Sequence, residues 1–157
     1  MFIDEHSPVI SNVNADIRPG IFHYFFSLCC TGAGLSFIGA FLTDFTYSYS
    51  PDMQWTNFSA WLLAAGILFA TVAGIFGLLL LVGRRRMRIS GTNVLRGVVL
   101  LVIYGLSVLN NFIHTRDAWT SVVPTGLALS AATACLVIIA AILRGLVHRD
   151  DARWEGV

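Results

Sequence analysis

Four long apolar runs dominate the chain, at residues 20–43, 57–82, 95–113 and 121–147. Each is hydrophobic nearly all round rather than along one stripe, the pattern of a helix immersed in lipid or at the centre of a bundle. A helix needs roughly 20 apolar residues to cross about 30 Å of hydrocarbon, and every run is of that order. None alternates, and each is more than twice as long as a barrel strand requires, so a β-barrel is excluded. The expected fold is an all-α integral membrane protein with four transmembrane helices. Short connections make sequential helices antiparallel, giving an up-down-up-down bundle. The polar stretch 1–19 forms an N-terminal tail, 20–147 one membrane domain, and 148–157 a short C-terminal tail.

Composition supports this reading. Of 157 residues 56% are hydrophobic and only 12% charged, and mean hydropathy is +0.74. Soluble domains carry about 25% charged residues, so too little charge is present to cover a water-facing surface. A net charge of +1 gives no pull toward nucleic acid, and no nucleic-acid partner is expected. All basic residues are Arg, a composition that points to a GC-rich bacterial genome. The leader contains Asp4, Glu5 and Asp16 instead of a basic cluster, and its apolar run exceeds a signal core of about 7–15 residues, so the first span should be retained.

The distribution of Arg sets the orientation. Arg84, Arg85, Arg86 and Arg88 lie between spans two and three, Arg96 just inside span three, Arg18 before span one, and Arg144, Arg149 and Arg153 at the C-terminal end. The other two connections hold only Arg116. By the positive-inside rule both termini are cytoplasmic (N-in/C-in) in a bacterial inner membrane. On the outer side, Phe45, Tyr47, Tyr49, Trp55 and Trp119 suit a headgroup-level aromatic belt in the loops. The alternation of Tyr with Ser and Thr after Asp44 also fits a short edge strand or a partner site. Small residues recur at helical spacing: Gly66, Ala70 and Gly74, with Ala73 and Gly77 beside them; Gly32, Ser36 and Ala40; Gly126, Ser130 and Ala134. Such faces permit close helix approach, inside the bundle or against another subunit or copy. Pro124 suits the start of span four, with Thr120 or Ser121 as its cap.

Candidate chemistry is sparse. Ionisable groups at bilayer depth usually mark ion paths or catalysis, yet no Asp, Glu or His falls near the middle of a span. Asp44 and His114 both sit at outer span ends. Asn110, Asn111 and Ser107 form the most polar intramembrane patch, read as interhelical hydrogen bonding in preference to ligand binding. Cys29, Cys30 and Cys135 lie in apolar runs and read as packing residues. Heme ligation in a bundle needs two His at similar depth. His23 and His114 are separated by nearly the bilayer thickness, which leaves His23 with His148 as the one geometrically possible pair for heme b, set against a reading of both as interfacial residues. There is no phosphate loop, HExxH element or nucleophile–base–acid constellation, and no metal-site spacing. The RRRMR run reads as a topology determinant that can also attract anionic lipid.

The stretch Arg18-Pro19-Gly20-Ile21-Phe22-His23-Tyr24-Phe25 resembles the element that opens the first helix in a bacterial membrane-protein family, domain of unknown function 2231. There a His-Pro-x-x-x-His-Phe-Pro pattern is usual; Pro19 and His23 are kept, while Arg18 and Phe25 replace a His and a Pro. Residues 55–77 look like that family's second helix, and Leu146-Val147-His148-Arg149 resembles its ending. Arg96 stands where the family's third helix often begins with His. The resemblance implies a four-helix membrane domain and no particular activity.

The expected role is therefore a non-enzymatic accessory or assembly subunit of a larger membrane complex, in contact with the bilayer and with other subunits or its own copies. One alternative is an electron-transfer subunit binding heme b or quinone near the cytoplasmic face, through His23 and His148. A second is a small oligomeric transporter or channel, which would call for a polar stripe along one helix.

Overall fold

In a computed structural model, residues 9–83, 91–115 and 122–154 are described, with side chains over 21–79 (except 22), 82, 94–115 and 122–145. The described residues form α1 (Val9–Tyr49), α2 (Met53–Gly83), α3 (Gly91–His114) and α4 (Leu127–Trp154), with no strand among them. All four contain a segment long and apolar enough to cross a membrane: His23–Tyr49, Met53–Leu79, Val94–His114 and Val122–Gly145. The expected all-α fold with four span-length apolar helices is what the structure has.

Each helix packs against its neighbour in sequence, and α1 also packs against α4. Contacts between α1 and α2 run in opposite sequence order: Phe26 lies beside Gly77, Phe37 beside Gly66, and Thr43 beside Ser59. The same reversal relates α1 to α4, from Ser27 with Arg144 to Asp44 with Ser130.

The first connection departs from the expected loop. Residues 44–49, read as an aromatic loop or edge strand, continue α1 as helix, and α2 starts at Met53, so only Ser50, Pro51 and Asp52 connect them. Pro disfavours a helical conformation in the residue before it, which stops α1 at Tyr49. Asp52 then caps α2, its Oδ1 accepting from the Gln54 backbone N–H at 3.0 Å. The aromatic residues divide accordingly. Phe45 and Tyr49 lie exposed on α1, stacked edge to face at 5.1 Å, and Tyr47 is buried.

Pro124 lies near the start of the fourth span, Val122–Gly145, in a turn that precedes α4 itself. Val122–Gly126 forms a wide turn ahead of α4, with Val123 extended at φ −119° and ψ 123°, the region a residue preceding proline favours. Thr120 and Ser121, the expected caps, lie outside the described residues, as do Arg116, Trp119 and the RRRMR run.

Burial follows a helical period. On α1 the inward face is Ala33, Phe37, Ala40, Asp44 and Tyr47, while Leu28, Leu35, Leu42 and Tyr49 form an exposed ridge at seven-residue spacing. Phe37, Leu63, Ala33, Ala40 and Ile103 make the apolar core. Phe37 occupies a hollow left by Gly66, where a Cβ would lie 2.4 Å from Cε1 of its ring. The small residue of α2 thus permits the close approach that lipid-exposed helices need.

Candidate functional site: a buried polar cluster and an apolar chamber

The buried faces of α1, α3 and α4 turn polar at one end of the bundle. Asp44, Ser107, Asn110, His114, Ser130 and Thr133 are all buried there. Periodicity places them: Asn110 and His114 follow Ile103 and Ser107 at three- and four-residue steps on the inward face of α3, and Asp44 extends the Phe37–Ala40 face of α1. Asp44 is fully buried about 8 Å from the end of α1, at a rise of about 1.5 Å per residue.

Four side chains form one hydrogen-bonded chain. The Asn110 amide donates to Ser130 Oγ at 2.6 Å, and the Ser130 hydroxyl donates to Asp44 Oδ2. Asp44 Oδ1 lies 2.8 Å from His114 Nε2. His114 Nδ1 lies 3.0 Å from the Asn110 backbone carbonyl. A carbonyl only accepts, so Nδ1 carries a proton. The contact between Nε2 and Oδ1 then holds one proton, on the imidazole or on the carboxyl, and the pair is neutral overall in either form. Charges buried at membrane depth must be compensated in this way. Gly126 lies against the His114 ring, where a Cβ would come within 3.0 Å of Cε1. Asn110 Oδ1 is buried without a hydrogen-bond partner among the described residues.

The order of these groups determines what they can do. In nucleophilic catalysis a serine hydroxyl gives its proton to histidine, which a carboxylate orients from behind. Here the carboxylate stands between serine and histidine, so Ser130 donates to Asp44 and does not contact His114. The arrangement ties α1, α3 and α4 together. Thr43 and Ser59 add a 2.7 Å hydroxyl contact between α1 and α2, and Thr71 with Tyr104 one of 3.1 Å between α2 and α3.

At the other end the bundle opens into a chamber of about 710 Å³ with walls from all four helices. Its lining is mainly apolar and small, including Ala33, Ala70, Ala73, Gly74, Ala140 and Ala141, with Arg96 and Arg144 among the few polar groups. A Cβ on Gly74 would meet nothing within 4 Å. Part of the small-residue face of α2 therefore lines open space, where sequence spacing suggested helix contact.

The two histidines singled out from sequence are not brought together by any described contact. His23 is exposed, its ring 6.5 Å from that of Phe26, a wall residue of the chamber. The His148 backbone lies in α4, and its side chain lies outside the described residues. Heme ligation by this pair finds no supporting geometry among the described residues. Both ring nitrogens of His114 are engaged, and it lies about 32 Å along α1 from His23, taking Asp44 as its level. Among the described residues no group of three or more His, Cys, Asp and Glu side chains gathers.

The cluster eluded sequence reasoning because its members were assigned separately, Asp44 and His114 to span ends and Asn110 to a hydrogen-bonding patch. The usable signal was phase: each lies in register with the inward apolar residues of its own helix.

A protein-family model described as predicted membrane protein (DUF2231) matches residues 35–150. The match takes in Asp44, Asn110, His114, Ser130, Arg96 and Arg144, and leaves the Arg18–Phe25 element and His23 outside. No curated protein and no solved structure matches the chain.

Proposed function

We propose that this chain, which belongs to the DUF2231 family of predicted membrane proteins, is a non-catalytic accessory subunit that supports the assembly or stability of a larger membrane complex. The observation that carries the reading is the polar cluster. The buried ionisable pair of the outer half is bound internally across three helices, with serine directed to the carboxylate and away from the imidazole. A rigid bundle with long apolar outer faces follows, such as the α1 ridge of Leu28, Leu35 and Leu42. Those faces suit lipid and the helices of a neighbouring subunit or second copy.

The Arg distribution supports a bacterial inner-membrane location with alternating helices and both termini cytoplasmic. On that orientation the chamber faces the cytoplasm and the Asp44–His114 pair the opposite side. Purification from native membranes in mild detergent tests the accessory role. A protein partner held in fixed stoichiometry, and lost when the α1 ridge is changed by Leu42→Asn, is the expected result. A lone monomer that elutes unchanged after that substitution contradicts it.

The electron-transfer alternative keeps one favourable observation, the proximity of the His23 ring to the chamber wall at Phe26. A reduced-minus-oxidised absorbance spectrum decides it. A heme Soret band that disappears in His23→Ala would replace the accessory reading, and a colourless preparation retains it.

A further inference from the structure

We propose that the chamber is a binding site for an anionic phospholipid, which inserts one acyl chain between the helices and places its phosphate between Arg96 and Arg144. Three observations converge. First, at about 710 Å³ the chamber falls within the roughly 300–1,000 Å³ typical of ligand sites. Its floor is the apolar core at Phe37 and Ile103. Ile103 lies about 10 Å along α3 from Arg96, at about 1.5 Å of rise per residue, deep enough for much of a hydrocarbon chain.

Second, the chamber opens sideways. Leu100 and Leu101 line it and are themselves 47% and 72% exposed, so the α3 wall reaches the surface of the bundle. In a membrane that surface faces acyl chains, so lipid has direct entry. An apolar cavity is poorly wetted and takes up apolar matter.

Third, the two cations call for an anion. Arg144 donates to Ser27 Oγ at 2.9 Å, a contact that places its guanidinium at the α1–α4 seam. Arg96 approaches from α3, with no hydrogen-bond partner among the described residues. Among the residues whose side chains are described, the carboxylates Asp44 and Asp52 belong to the opposite end of the bundle. Two guanidinium groups at the rim of an apolar chamber match a phosphate, which arginine engages with paired N–H donors. The site holds whether or not the chain has a protein partner, so its failure leaves the accessory role untouched.

Cys30 supplies the readout, because it lines the chamber while Cys29 is buried and Cys135 faces outward. In a Cys29→Ser/Cys135→Ser background, the protein is placed in phosphatidylcholine bilayers with and without phosphatidylglycerol. The rate of maleimide labelling at Cys30 is then measured. Only the lipid-free fraction reacts, so phosphatidylglycerol at about ten times its Kd slows labelling on the order of tenfold. The protection is lost in Arg96→Gln/Arg144→Gln. Gly74→Leu, which narrows the chamber and leaves both arginines in place, weakens the protection by phosphatidylglycerol, and an unchanged thermal midpoint shows that it folds. Equal labelling in both bilayers, protection that survives the double Arg substitution, or equal protection by soluble glycerol phosphate or by a neutral quinone would each overturn the proposal.

Discussion

Replacing Asp44 probes the buried cluster most sharply, because one substitution removes its hydrogen-bonding partners' counterpart and another keeps it, with losses of different size. Asp44 accepts from Ser130 and contacts His114 Nε2 at 2.8 Å, with both ionisable side chains essentially inaccessible. Asp44→Ala strands the Ser130 hydroxyl and His114 Nε2. A buried polar group left without its partner costs about 1–3 kcal/mol, which gives roughly 2–6 kcal/mol for two. Interhelical hydrogen bonds in membranes average only about 0.6 kcal/mol, since separated helices also find partners, so the lower part of that range, about 2–3 kcal/mol, is expected. Asp44→Asn behaves differently. Its carbonyl oxygen still accepts from Ser130, and its amide donates to a neutral His114 whose remaining proton stays on Nδ1, bonded to Asn110. The loss should stay within about 1 kcal/mol. Equilibrium unfolding in bicelles, followed by Trp fluorescence, ranks the variants. An Ala variant within about 1 kcal/mol of the parent, or an Asn variant as unstable as Ala, would refute the reasoning.

Gly66→Ala drives a Cβ to 2.4 Å from the Phe37 ring and should cost about 1–3 kcal/mol by overpacking, with partial rescue by Phe37→Leu in the same unfolding assay. Gly74→Ala, with nothing within 4 Å, should be neutral or stabilise by up to about 1 kcal/mol through helix propensity. Gly126→Ala crowds His114 Cε1 at 3.0 Å; unfolding should show a loss near 1 kcal/mol, and none once His114 is already Ala. An alkaline phosphatase fusion after Val157 should be inactive and a green fluorescent fusion there bright, the reverse of which would overturn the proposed cytoplasmic position of the C-terminus.

The helices were legible in the sequence because span-length apolar runs have few other physical solutions. Their ends were less so. The hydropathy of DFTYSY falls below that of a span, yet Pro51 and the Asp52 cap, not hydropathy, set where α1 stops and α2 starts. Small residues were recognised as packing signals, but Gly66 and Gly74 occupy one stripe and do opposite things, one receiving Phe37 and the other facing the chamber. Spacing alone carries no information about which partner helix bears a large residue at that level. The Asp44–His114 contact joins positions 70 residues apart, and only the assembled bundle brings them to one depth. The chamber was illegible for the same reason, since its volume belongs to four helices at once.

The central claim is that Asp44 and His114 lock α1 to α3 as a coupled pair, and a double-mutant cycle between them tests it most directly. Unfolding free energies are measured in bicelles for the parent, Asp44→Ala, His114→Ala and the double variant. The structure predicts a coupling of at least about 1.5 kcal/mol, with the double variant less damaged than the sum of the single ones, because removing both partners leaves fewer stranded groups. Additivity to within about 0.5 kcal/mol, the behaviour of sites that do not touch, would contradict it.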